Sequence, residues 1–168
     1  KISEMIALRR GGHVVAALAT IMIDNPLCAL TGHRICNDCS QACIYQKQDP
    51  VQIPQIETSV LKDVLTLPWG AEIYALLTRW NPLRNQQYLP ASDNGFRVAI
   101  MGMGPAGITM AHHLLMEGCF VTGMDGMTIT PINPHLLQPI KDYDAVCEPL
   151  SQRGMAGFGG VAEYGITV

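Results

Sequence analysis

The hydrophobic and polar positions divide the chain into a helical half and a half with strand-like character. In the first half, apolar residues recur at helical spacing or fill short runs, which predicts four helices, over Ile2 to Arg10, His13 to Ile23, Gln55 to Leu67 and Trp69 to Trp80. The polar, proline-containing stretch from Asn81 to Gly95 indicates a linker. We therefore predict a helical domain over residues 1–90 and an α/β domain over residues 91–168.

The α/β half opens with a strand, a glycine-rich turn and a helix. Val98 to Met101 is a short apolar run typical of a buried parallel strand. Gly102, Gly104 and Gly107 follow it as G-x-G-x-x-G. The first glycine of this pattern permits a tight turn, the second lets a pyrophosphate approach the backbone, and the third lets the helix pack closely on the sheet. Pro105 suits the first turn of that helix, where an N–H would have no partner.

A second strand and an acidic residue complete the pattern. Gly118 is placed to end the helix, and Cys119 to Met124 reads as the next strand. Asp125 follows 23 residues after Gly102, near the spacing of an acid that binds the 2′-hydroxyl of a ribose. Because such an acid disfavours a 2′-phosphate, the pattern predicts FAD or NAD rather than NADP. The alternative is a βα turn that binds nothing, which the strand, helix and acid in their expected places disfavour.

Four of the six cysteines crowd into one short segment, at Cys28, Cys36, Cys39 and Cys43. Thiolates this close in sequence can converge on one centre, and four soft sulfurs suit zinc or an iron–sulfur cluster. Structural zinc sites usually use two separated C-x-x-C pairs, so one compact run favours a cluster. Reduced structural thiols or two disulfides are the alternatives.

Composition narrows the classes of partner. The 168 residues are 48% hydrophobic and carry a net charge of −3, so the chain can build a core and has no basic surface that would favour nucleic acid. The longest apolar run, Val14 to Ile23, is about half of what a bilayer span requires. No secretory signal opens the sequence. We expect a cytoplasmic protein with no membrane span and no nucleic-acid partner.

Three segments together resemble a known family. They are TGHRICNDCSQACIYQKQDPVQIPQIE, GMGPAG and GGVAEYGI. They are similar to the cysteine segment, the flavin fingerprint and the GG-x-x-x-YGIP signature of the FAD-dependent pyridine nucleotide-disulfide oxidoreductases. Within that family, the sequence resembles the glutamate synthase small subunit and the N-terminal region of dihydropyrimidine dehydrogenase.

The resemblance implies two cofactors on this chain. One is a [4Fe–4S] cluster bound by Cys36, Cys39 and Cys43, with Cys28 as a fourth ligand whose spacing departs from the family pattern. The other is FAD, with NAD(P)H bound on a second dinucleotide domain that is not in this sequence. The residues implied for FAD are Gly102, Gly104, Pro105, Ala106 and Gly107 at the pyrophosphate, Asp125 at the ribose, and Gly159 and Gly160 at the flavin side.

The sequence also departs from the family. Extra residues separate Asp125 from Gly159, and Thr167 replaces the proline of YGIP. Only two strands are clear, and a two-stranded parallel sheet cannot bury both faces well. We expect an α-helical iron–sulfur domain followed by an incomplete α/β Rossmann-like dinucleotide-binding domain, in a fragment or in one subunit of a split enzyme.

The function that this resemblance implies is electron transfer. The chain would be part of an FAD-dependent NAD(P)H oxidoreductase that passes electrons between flavin and an iron–sulfur cluster. It would use no catalytic side chain, would not be active alone, and would have the remainder of the oxidoreductase or a partner subunit as its partner. The alternative is a non-catalytic docking module with a zinc or structural cysteine site and a vestigial nucleotide site.

Overall fold

The computed structural model describes residues 1–31, 38–84 and 91–126. Within these ranges the helical elements come first and a strand–helix–strand unit follows. The elements are α1 (Ile2–Arg10), α2 (Val14–Met22), α3 (Cys28–Thr31), α4 (Asp38–Gln41), α5 (Ile53–Leu65), α6 (Gly70–Arg79), β1 (Arg97–Met101), α7 (Pro105–Met116) and β2 (Phe120–Met124).

The core of the helical half is built around α2. This helix reads VVAALATIM and is buried from Ala17 to Met22, because α1, α5 and α6 all pack against it. Helix α5 contributes Val60, Leu61, Val64 and Leu65, which recur at helical spacing and therefore lie on one face. An amphipathic helix thus packs against an almost wholly apolar one.

All four helices predicted in this half are present: α1 has the predicted bounds, α2 and α6 agree to within one residue, and α5 agrees to within two. The turn between α5 and α6 is tight. Gly70 begins α6 so close to α5 that a Cβ on it would meet the carbonyl oxygen of Val64 and lie 2.7 Å from Leu65 Cα. The tight turn between the two helices therefore requires a glycine. The one-turn helices α3 and α4 have no periodicity of their own and were not predicted.

The α/β half contains a parallel pair of strands joined by α7. Arg97 pairs with Phe120, and the register continues to Met101 opposite Met124. Helix α7 packs against both strands. Gly118 follows the helix with φ 85°, the left-handed conformation that glycine adopts most readily, so the predicted glycine end of this helix is confirmed.

Only one face of this sheet is covered by the residues that the structure describes. Along β1, Val98 and Ile100 are half-buried beneath α7, whereas the alternate positions are exposed and Met101 is 79% exposed. The prediction of a buried strand is therefore wrong for half of its residues. On α7, Leu115 is 52% exposed, and the buried residues are Ala111 and Met116.

The predicted linker, Asn81 to Gly95, forms hydrogen bonds to both halves of the chain. Asn81 is 1% exposed, and its Nδ2 donates a hydrogen bond to the carbonyl of Ala19 in the helical half. The backbone N–H of Ala91 donates to the carbonyl of Met116 in the α/β half. Residues 85–90 lie outside the described ranges, so the domain boundary near residue 90 stays a prediction. In the part of the chain that is described, no helix is long and apolar enough to cross a membrane.

Candidate functional site

The three glycines between β1 and α7 meet three different physical demands. Gly102 has φ 93°, a conformation that strains any residue with a side chain. A Cβ on Gly107 would collide with the carbonyl oxygen of Gly102 and lie 3.5 Å from Ile100 Cγ2. Gly104 has ordinary extended backbone, and a Cβ on it would point into open space. The first and third glycines are therefore required by the fold itself, whereas the fold does not require the second.

The open space at Gly104 lies directly before the N-terminus of α7. Pro105 is the first residue of this 12-residue helix, and the first hydrogen bond of the helix runs from Ile108 N to the carbonyl of Gly104. The earlier N–H groups of a helix have no partner within it, and the helix dipole adds positive potential at this end. An anion could therefore reach these backbone N–H groups, because residue 104 has no side chain that would block it.

Asp125 lies against the same turn. Its carboxylate Oδ2 accepts a hydrogen bond of 2.6 Å from the backbone N–H of Met103, and the N–H of Gly102 donates to the carbonyl of Met124 at 2.7 Å. Parallel strands end at the same edge of a sheet, which is why an acid after β2 reaches the turn after β1. The structure thus brings together the glycines and the acid that the sequence pattern named.

One contact at this site was not predicted. The side chain of Met103 lies across the backbone of β2 at Gly123, where a Cβ would be 2.5 Å from Met103 Sδ and 2.8 Å from its Cε. A glycine inside a strand often marks a close approach of other atoms. That signal was present in the sequence at Gly123.

His112 is a half-buried polar residue of α7. Within the described residues its Nε2 is buried and has no hydrogen-bond partner. Burial lowers the pKa of the imidazole, and the positive charges of His113 and Arg84 lower it further. The ring is therefore held neutral and is poorly suited to binding an anion.

Of the four clustered cysteines, Cys28 lies in the helical core. It is 5% exposed, and its thiol is hydrogen-bonded to the Tyr74 hydroxyl. That hydroxyl also donates to the carbonyl of Pro26 at 2.8 Å and accepts from the N–H of Ala29 at 3.3 Å. Burial raises the pKa of the Cys28 thiol to about 12, although the bond with Tyr74 works in the opposite direction. Binding a metal through this thiol would require the metal to displace the thiol proton and to reach a side chain buried in the core.

Cys39 and Cys43 have a different environment. Both are half-buried; Cys39 lies in α4, and Cys43 follows two residues after the end of that helix. The N–H of Tyr45 donates to Cys43 Sγ at 3.4 Å. These two residues fit the chemistry of sulfur ligands to a metal centre.

The rest of the predicted site is not described. Cys36, Gly159 and Gly160 lie outside the described residues. Among residues 1–31, 38–84 and 91–126, no three histidine, cysteine or acidic side chains are grouped closely enough to hold a metal ion. The complete cluster ligand set and the flavin-side glycines therefore stay predictions.

The chain is similar to a known protein. The chain is 53% identical over 140 residues to "Uncharacterized protein RP006" of Rickettsia prowazekii (strain Madrid E). The match covers 83% of this chain and 20% of the relative, so the chain spans about a fifth of the length of the curated protein that it matches. No family model matches the sequence, and no solved structure matches it.

Proposed function

We propose that residues 91–126 bind the ADP half of FAD, as part of an FAD-dependent oxidoreductase that uses NAD(P)H. The observation that carries this proposal is the hydrogen bond from Met103 N to the Asp125 carboxylate. This hydrogen bond keeps Asp125, the acid proposed for the ribose, at the same edge of the sheet as Gly104, where a phosphate could approach the backbone. An adenine dinucleotide requires both groups at one edge.

Each part of the site has a separate task in this proposal. The backbone at Gly104 allows the pyrophosphate to approach, and the N-terminal N–H groups of α7 bind its oxygens. Asp125 accepts hydrogen bonds from ribose hydroxyls and repels a 2′-phosphate. When bound, FAD would supply the redox chemistry by accepting a hydride and releasing single electrons. The protein's own task is to bind and orient the cofactor.

The cysteine segment extends the proposal to electron transfer. Cys39 and Cys43, together with Cys36, are proposed as ligands of an iron–sulfur cluster that exchanges electrons with the flavin. Because Cys28 is buried against Tyr74, it is less suited to this role than Cys39 and Cys43. The nicotinamide site, the electron acceptor and the rest of the FAD site would belong to further polypeptide or a partner subunit, and we place the enzyme in the cytoplasm.

The nucleotide site is tested by filling the open space at Gly104. We expect Gly104→Val to weaken ADP binding at least tenfold, which is about 1.4 kcal/mol, because the new side chain would stand where the pyrophosphate approaches. Isothermal titration with ADP and FAD measures the effect. Wild-type protein should also bind ADP more tightly than adenosine 2′,5′-bisphosphate, whose 2′-phosphate would face Asp125.

A matched control separates ligand binding from folding. Gly126→Val makes the same substitution where a Cβ also meets open space, and it should leave ADP affinity unchanged. Both variants should keep the wild-type melting temperature. A wild-type chain that binds neither ADP nor FAD would contradict the proposal and favour the alternative, a non-catalytic docking module with a vestigial nucleotide site.

A further inference from the structure

We propose that Met103 and Gly123 form a positioning pair that fixes the shape of the glycine turn for dinucleotide binding. This inference rests on the proposed function and assigns a role to two residues outside the glycine and acid pattern. Gly123 lies in β2 opposite Ile100, whose side chain is half-buried beneath α7. A side chain at residue 123 would point to that same face of the sheet, because paired residues of parallel strands share a face.

Met103 occupies the space that residue 123 leaves empty. A Cβ on Gly123 would lie 2.5 Å from Met103 Sδ, 2.8 Å from Cε and 3.0 Å from Cγ, which are distances that real Cβ atoms essentially never show. Met103 is half-buried although it belongs to a turn. The methionine side chain therefore packs on the strand backbone in place of a β2 side chain.

This contact is one of three that connect the turn to the end of β2. Gly102 N donates to the carbonyl of Met124, and Met103 N donates to the carboxylate of Asp125. The side chain of Met103 adds the third contact, at Gly123. Two consecutive turn residues are thus anchored to three consecutive residues at the end of the second strand.

The anchor acts on the residue that a ligand would approach. Gly104 follows Met103 directly, and its own position is not fixed by a side chain. When the Met103 side chain is displaced from Gly123, the peptide joining residues 103 and 104 loses its side-chain contact with β2. Met103 and Gly123 are therefore positioning residues, which act on the ligand through the backbone at Gly104.

A methyl group at residue 123 tests the pair without breaking the fold. The atoms that it would meet belong to a flexible methionine side chain, which can move aside. We expect Gly123→Ala to weaken ADP binding about tenfold while the melting temperature changes little. Gly126→Ala is the matched control, because the same methyl there meets open space, and its ADP affinity should equal that of the wild type.

A double-mutant cycle isolates the contact. Met103→Ala alone should weaken ADP binding severalfold, and Met103→Leu should retain most of the affinity because it keeps an apolar side chain over Gly123. In the combined variant Met103→Ala with Gly123→Ala, the two losses should not add, since each removes the same contact. Additive losses, or unchanged affinity in Gly123→Ala, would overturn the positioning pair.

A readout that needs no ligand separates this inference from the proposed function. In NMR spectra, Gly123→Ala should shift both the Met103 methyl resonance and the Gly104 amide resonance, and Gly126→Ala should leave both in place. If the wild-type chain binds no ADP, the nucleotide site is overturned, and a shifted Gly104 amide still supports the positioning of the turn by Met103. A Gly104 amide that does not respond to Gly123→Ala overturns the pair in either case.

Discussion

Gly102, Gly104 and Gly107 show how one residue type serves three purposes within six positions. The backbone angle at Gly102 and the contact of Gly107 with the Gly102 carbonyl are properties of the folded chain and need no ligand. Only Gly104 has neither constraint, since its φ is ordinary and its missing side chain faces open space. At the residue scale, Gly104 is therefore where a substitution separates ligand binding from folding.

His112 gives a pH dependence that can be assigned to one residue. Its pKa in the folded state is lower than in the unfolded state, first because the ring is buried and then because His113 and Arg84 are positive. The unfolded chain therefore takes up the proton more readily. The stability that the neutral ring contributes is fully present above the unfolded pKa of about 6.5 and is lost as the pH falls through the folded pKa.

We expect the melting temperature of the wild-type protein to fall as the pH is lowered from about 7.5 to about 5.5, and to fall less in His112→Leu. Differential scanning calorimetry at several pH values measures this difference. His113→Gln is the control, because His113 is exposed and the larger cause of the shift, burial of His112, remains. An equal fall in the wild type and in His112→Leu would contradict the assignment.

The sequence named the residues of the glycine turn, Gly102 to Gly107, but not the contact that connects the turn to the second strand. The G-x-G-x-x-G pattern and the distance to Asp125 are one-dimensional signals, and the structure places those residues together. The packing of Met103 on Gly123 depends on the rotamer of one side chain and on strand register. Those features are set by tertiary packing, which a spacing rule does not contain.

At the scale of the element, α2 organises the helical half. Leu18 is fully buried where α1, α5 and α6 converge on this helix. We expect Leu18→Ala to lower the free energy of unfolding by about 2–5 kcal/mol, the usual cost of an apolar cavity in a packed core. Urea unfolding followed by circular dichroism measures it.

Val15 on the same helix provides the comparison for Leu18. Its side chain is exposed, so Val15→Ala should cost well under 1 kcal/mol, roughly the effect of an ordinary surface substitution. Similar losses in the two variants would mean that α2 is not the centre of the core.

The helices that were predicted are those with at least two turns of apolar pattern. Helix α5 shows a clear apolar face over 13 residues and was predicted to within two residues at each end. Helices α3 and α4 contain four residues each, which is too short to display a helical period. The segment that contains the cysteines was therefore the least predictable part of the helical half.

At the scale of the whole molecule, the cysteine segment and the glycine turn belong to different halves of the chain. The core side chains of the helical half are contributed by α1, α2, α3, α5 and α6, whereas the turn lies between β1 and α7. The cofactor proposed for each half can therefore be tested separately. The cysteines are examined by metal content, and the turn by nucleotide affinity.

We expect Cys39→Ala and Cys43→Ala to lose the iron of anaerobically purified protein, because both residues are accessible sulfur ligands in the proposal. Cys28→Ala should retain the iron and lower the melting temperature, because it removes a buried core side chain. Iron and sulfide analysis with a visible spectrum measures the first effect, and thermal unfolding measures the second.

Two other results would contradict this assignment of the cysteines. Loss of iron from Cys28→Ala at an unchanged melting temperature would make Cys28 a ligand and require that its segment leave the core when metal binds. Zinc in place of iron in the wild-type protein would contradict electron transfer and favour the docking module.

The constant register between β1 and β2 has a consequence for the order in which this half of the chain folds. Every β1 residue pairs with the residue 23 positions later, from Arg97 with Phe120 to Met101 with Met124. The sheet therefore contains no short-range pair from which it could start, and each pairing first incurs the entropy of closing the same loop. Helix α7, whose hydrogen bonds are local, shortens that loop when it forms. We infer that the helix forms before the strands meet, so the glycine turn reaches its final shape in the last step, when Met103 and Asp125 come into contact.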